Sequence, residues 1–171
     1  MKKFNSNYIL IGIFVLVLIG LVLVINNKQD NTINTKYRIV NNATTFFTIE
    51  GCVNRYINSL SKSEVDNLMI LIDDEYIEKH NLNKENILSH LGQKKVFYTF
   101  MAKKIYSEVS KTDYINYYIY GLLSEEKLNE ADYGNDYYIK VKVQKSNNLF
   151  SIIPITEKEY KEIENGFYKR K

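Results

Sequence analysis

His80 and His90 are the only imidazoles in the chain, and imidazole is the side chain most often used for proton transfer near neutral pH or for metal ligation. His80 stands in EKHNLN and His90 lies two residues before Gly92, each at an expected helix end where an imidazole can meet unpaired carbonyls. Neither has a carboxylate at a triad-like or metal-like spacing, so both read as structural or surface residues. The acidic group Asp73, Asp74, Glu75 and Glu78 offers oxygens of the kind calcium takes, but DDEYIEKHNLNK has no glycine where an EF-hand loop needs one. A solvated helix end is the expectation there. Neither a glycine-rich phosphate loop nor a nucleophile elbow occurs. Cys52 is the one cysteine, so no internal disulfide can form, and it reads as a small apolar residue on a helix.

Tyrosine is the more unusual feature, with fifteen in the chain. In DYINYYIYGLL, strand alternation sends Ile115, Tyr117, Ile119 and Gly121 one way and Tyr114, Asn116, Tyr118 and Tyr120 the other. In DYYIKVKVQK, Tyr137, Ile139, Val141 and Val143 oppose Tyr138, Lys140 and Lys142. If Ile119 and Ile139 share a core, then Tyr114, Tyr118, Tyr120, Tyr138 and Lys140 share the outer face of one sheet. Amphipathic aromatics in such a place suit a contact surface. Tyr117 and Tyr137, with Ile119 and Ile139, would line any pocket on the inner side.

The formal net charge of +3 does not point to nucleic acid. Residues 1–36 carry four lysines and one aspartate, leaving 19 basic and 19 acidic residues in the remaining 135. A duplex-binding domain needs a net positive field or a marked basic face. No nucleic-acid partner is expected.

The run from Tyr8 to Ile25 contains no charge and no amide. As a helix its eighteen residues rise about 1.5 Å each, roughly 27 Å in all. It is longer than the apolar region of a secretory signal and ends in bulky Val24 and Ile25 without small cleavage residues. A retained anchor is predicted, with residues 1–7 as a cytoplasmic tail, 8–26 as a transmembrane helix, 27–43 as a polar linker and 44–171 as an extracytoplasmic domain. Lys2 and Lys3 before the span favour an N-inside, single-pass orientation in the cell membrane.

Beyond the linker, TTFFTIEGCVNRYINSL has apolar residues at helical spacing, with Thr44 or Thr45 available as cap. Ser63 and Asp66 suggest a capping box for a second helix, with Leu68, Met69, Leu71 and Ile72 inward. Asn83 and Gly92 bracket a short third. From Lys94 the chain reads as four strands, the last two joined through KSNN and the last ending at Pro154. A short C-terminal helix is expected between Thr156 and Gly166. The predicted class is α+β, with three helices packed on a curved, cone-like, antiparallel four-stranded sheet.

This element order, over roughly residues 44–155, resembles the nuclear transport factor 2-like superfamily. Its membrane-anchored bacterial branch, the scaffold subunits of conjugation and type IV secretion channels, is similar in layout, as are small membrane-anchored proteins of Gram-positive bacteria that end in an FSIIP-like strand. The resemblance implies a fold and fixes no function; the expected function is a non-catalytic, membrane-tethered domain that binds itself or another protein, with no cofactor. Two alternatives stand beside it: a small-ligand-binding or enzymatic cone pocket, and a cell-wall binding module using aromatics and lysines on one face.

Overall fold

The computed structural model describes residues 36–92, 99–110, 112–124 and 134–168. Helix α1 spans Ala43–Ser61, α2 Val65–Leu71, α3 Asp74–Lys79, α4 Ile87–Leu91 and α5 Glu157–Tyr168. The strands are β1 Tyr37–Ile39, β2 Thr99–Glu108, β3 Tyr114–Ser124, β4 Asn135–Gln144 and β5 Phe150–Pro154. Helix α1 starts two to three residues earlier than predicted because Asn42 is its cap, its side chain accepting from the Thr45 amide at 2.9 Å. Its inward stripe is Ile49, Val53, Tyr56, Ile57 and Leu60, the i, i+4, i+7 spacing of an amphipathic helix. The expected Ser63 capping box does not form. Ser63 turns left-handed at φ 57°, and the Glu64 carboxylate instead accepts from the Ser59 hydroxyl and the Asn67 amide.

All strands pair antiparallel in the sequential order β1 to β5. The expected four-stranded cone with helices on one side is corrected on three points. The sheet is open and has five strands, because Tyr37–Ile39, assigned to the linker, pairs with Tyr106–Glu108. DEYIEK is a helix of its own, because Ile72 and Asp73 leave α2 to bridge β5, the Asp73 amide donating to the Ile152 carbonyl at 3.0 Å. Finally, α5 continues through Gly166 to Tyr168 and lies against the other face of the sheet, where Tyr160 meets Tyr106, Tyr120 and Tyr138. Gly166 permits this approach, since a Cβ there would sit 3.3 Å from the Tyr37 ring.

The sheet thus carries helices on both sides. On the α1–α4 face Phe100, Ile105, Ile119, Ile139, Val141 and Ile152 are fully buried, packed with the inward residues of α1 and α2. Strand β2 supplies both faces through a bulge. The register with β3 shifts between Ala102 and Lys104, leaving Lys103 as the extra residue. Phe100, Ala102 and Ile105 therefore face one core while Lys104 and Tyr106 face α5.

Helix α1 also closes the part of the β2 edge that the short β1 leaves open. The Asn54 side chain bonds the Phe100 amide and carbonyl, both at 3.0 Å, and Glu50 accepts from the Ala102 amide at 2.8 Å. These side chains stand in for a neighbouring strand on an otherwise adhesive edge. Asn54→Ala should cost about 1–3 kcal/mol by stranding those backbone groups, and it should increase aggregation during thermal unfolding followed by light scattering.

The anchored, single-pass reading is also corrected. Among the described residues no helix is long and apolar enough to cross a membrane. The longest, α1, is amphipathic and carries Glu50, Asn54 and Arg55. The run from Tyr8 to Ile25, on which the membrane partner and the extracytoplasmic placement rested, lies outside the described residues.

Candidate functional site: a groove at the β4–β5 edge

The register of β3 and β4 fixes where each singled-out tyrosine lies. Gly121 faces Tyr137, Ile119 faces Ile139 and Tyr117 faces Val141 on the α1 side, while Tyr120 faces Tyr138 and Tyr118 faces Lys140 on the other. Tyr117, Ile119 and Ile139 belong to the packed core. Tyr137 packs edge-on against Phe100. Burial pushes the Tyr137 phenol up to about 12. All four pack in or against the core cluster on the α1 side.

On the other face, α5 converts part of the tyrosine patch into a second small core. Tyr120 and Tyr138 stack at 5.4 Å beneath Tyr160, and Tyr106 is fully buried. Lys104 and Glu164 pair at 2.8 Å, and Glu164 also accepts from the Tyr106 hydroxyl at 3.2 Å. The Lys104 ammonium holds the Glu164 carboxyl below its usual range, against a smaller effect of burial. Tyr118 donates to Glu108 at 3.2 Å and Tyr120 to Asp136 at 3.0 Å. Lys140 rests over the Tyr118 ring at 5.5 Å, and burial lowers its pKa. A flat sheet-to-sheet pairing of two copies would have to displace α5. The Tyr160 hydroxyl is buried without a hydrogen-bond partner. Tyr160→Phe should accordingly raise stability by about 1 kcal/mol, read as a higher denaturant midpoint.

Tyr114 has a different setting. It is 38 % exposed and lines a groove of about 330 Å³ with Ile70 of α2 and Leu149 of the β4–β5 turn, which are 76 % and 65 % exposed. Three large apolar side chains from three separate elements thus converge in water. At the groove's base lies Asp73, only 5 % exposed. One carboxylate oxygen accepts from the Ser151 hydroxyl at 2.8 Å and pairs with the Lys142 ammonium at 3.1 Å, and the other has no hydrogen-bond partner. Lys142 also reaches Glu75 at 3.6 Å and lies 4.7 Å above the Tyr114 ring. The sheet creates this cluster: Lys142 and Ser151 are cross-strand partners, and the bridge from Ile72 to Ile152 brings Asp73 over them.

A serine, a lysine and an aspartate in contact invite comparison with nucleophilic catalysis, which needs a base able to take the serine proton. The electrostatics oppose it. Burial pushes the Asp73 carboxyl up, but Ser151 and Lys142 together outweigh burial and hold it below the usual carboxylate range, which makes it a poor base. Burial likewise pulls Lys142 down and Asp73 outweighs it, so the amine stays protonated. The group is a locked ion pair.

No family model, curated protein or solved structure matches the chain. The resemblance to the nuclear transport factor 2-like superfamily is corrected accordingly. It rested on element order alone, and the five-stranded sheet with a helix on each side departs from that order.

Sequence reasoning missed the groove. Ile70 lies off the buried side of α2, where Leu68 and Leu71 point inward, and an isoleucine out of phase with its helix is the signal that could have marked it. Asp73, expected in a solvated helix end with Asp74, Glu75 and Glu78, is buried and paired, while the other three are exposed. The two histidines, ten residues apart, come together beside Tyr76, their ring centres 5.0 Å apart. Among the described residues no three histidine, cysteine, aspartate or glutamate side chains gather into a metal-sized cluster.

Proposed function

We propose that this domain is a non-catalytic interaction module that holds an apolar, basic segment of a protein partner in the groove between α2–α3 and the β4–β5 hairpin. The observation that carries this reading is the convergence of exposed Ile70, Tyr114 and Leu149 around a charged base. Large apolar side chains clustered in water mark contact surfaces more often than solvated ones. Aromatic and aliphatic anchors ringed by polar groups are the usual anatomy of an interface. Charge selects the occupant. Asp73, Asp74 and Glu75 line the groove against the single cation Lys142, so a segment bringing lysine or arginine beside an apolar side chain is complementary.

The test is titration of the full chain, labelled for nuclear magnetic resonance, with a short amidated peptide of alternating lysine and leucine. Shifts should concentrate on Ile70, Tyr114, Leu149 and Glu75. A peptide of alternating glutamate and leucine should leave these signals in place. Shifts that follow the acidic peptide, or that map to Tyr120, Tyr138 and Tyr160 beneath α5 instead, would contradict the assignment.

A further inference from the structure

We propose that His80 and His90 form a two-imidazole site for a borderline divalent transition-metal ion, with Cu²⁺ the tightest occupant and Zn²⁺ a weaker one. Two imidazoles on one ion, with metal to nitrogen distances of about 2.0–2.1 Å, hold their ring centres roughly 4.5 Å apart in the tetragonal geometry of Cu²⁺ and roughly 5 Å apart in the tetrahedral geometry of Zn²⁺. The two rings stand 5.0 Å apart and 51° from coplanar, which is not a parallel stack.

The surrounding chain fixes this arrangement. His80 caps α3, its amide donating to the Tyr76 carbonyl at 3.2 Å, and Asn81 turns left-handed at φ 50° to reverse the chain. Asn86 then clasps the reversal, donating to the Asn81 carbonyl at 3.0 Å and accepting from the Asn83 amide at 2.8 Å. That clasp sets the start of α4, which presents His90 one turn later. Tyr76 holds both rings: it packs against His80 at 4.3 Å, and its hydroxyl lies 3.1 Å from His90 Nε2. A hydrogen bond to one ring nitrogen is the usual way a ligating histidine is oriented, and losing it weakens metal binding about 10–100-fold.

Imidazole suits copper and zinc, and copper leads the divalent series. Both rings reach solvent, His80 partly and His90 openly, so water completes the coordination sphere and binding is exchangeable. The test is titration of the full chain with Cu²⁺ alone, by calorimetry and electron paramagnetic resonance. One ion per chain should bind with nitrogen hyperfine structure from two imidazoles. His80→Ala and His90→Ala should each weaken binding at least tenfold, and Tyr76→Phe should weaken it while keeping the two-nitrogen signature. Because both histidines lie at the surface, melting temperatures of the metal-free variants should stay close to that of the parent. Equal affinity in the parent and in the double variant H80A/H90A, or a spectrum without two imidazole nitrogens, would overturn the assignment. Should a variant fail to fold, Zn²⁺ titration of the parent with detection of the histidine ring protons decides alone: both rings must respond together.

Discussion

Replacing Lys142 by methionine should destabilise the domain by about 3–5 kcal/mol, the usual cost of removing one partner from a buried pair. The methylene stem is kept, so the loss is chiefly electrostatic. Asp73, 5 % exposed, would keep the Ser151 hydroxyl and lose its counter-charge. Asp73→Ala should cost less, because Lys142 retains Glu75 at 3.6 Å and is closer to solvent. The double variant K142M/D73A should recover part of the loss, as the stranded carboxylate is then gone. The pair also sets a pH window. The folded Asp73 carboxyl lies below its unfolded value of about 3.9, so its contribution is complete above about pH 4 and drains as pH falls through the folded value. The folded Lys142 lies above its unfolded value of about 10.4, so its contribution holds below that and is lost as pH rises through the folded value. Urea unfolding across the acid range should show the parent losing stability more steeply than K142M/D73A.

Gly121→Val is expected to damage the fold as severely, for a steric reason. A Cβ at Gly121 would overlap the Phe100 ring and lie 2.5 Å from the Met101 carbonyl oxygen. The ring is fully buried, and the carbonyl belongs to the strand next to the bulge, so neither can yield cheaply. Ordinary overpacking costs about 1–3 kcal/mol. A branched side chain meeting backbone should reach or exceed that upper figure, seen as a fall in melting temperature or as insoluble protein. Gly121→Ala should lie between valine and the parent. If valine is tolerated within about 0.5 kcal/mol, the β2–β3 register described above is wrong.

What the sequence allowed one to read follows the physics of each element. The alternation of Ile115, Tyr117 and Ile119 with Tyr118 and Tyr120 fixed the faces of β3, and that of Ile139 and Val141 with Lys140 and Lys142 fixed those of β4, because period two admits only one assignment once a core face is chosen. Their pairing in the structure, Ile119 with Ile139 and Tyr120 with Tyr138, follows that assignment. Strand β2 resisted reading because Lys103 is an extra residue that reverses the alternation midway. Strand β1 has three residues, too few to show a period. That α5 would cover the outer face could not be seen in TEKEYKEIENGFYKRK, where Tyr160 is the one buried residue of Glu157–Tyr168. The groove was least legible. Ile70, Tyr114 and Leu149 are distant in sequence, and only the bridge from Ile72 to Ile152 and the β4–β5 turn bring them to one edge.

As proposed, this edge is a contact surface for a basic apolar segment. The most direct measurement is the fluorescence anisotropy of a labelled lysine–leucine peptide titrated with the parent and with the Ile70→Ser/Leu149→Ser variant. Both replacements are at exposed positions, so the variant should unfold at nearly the parental denaturant concentration. The parent should bind, the variant should bind at least tenfold more weakly, and added salt should weaken the parent's binding as the acidic rim is screened. Equal affinities in a folded variant would contradict the claim.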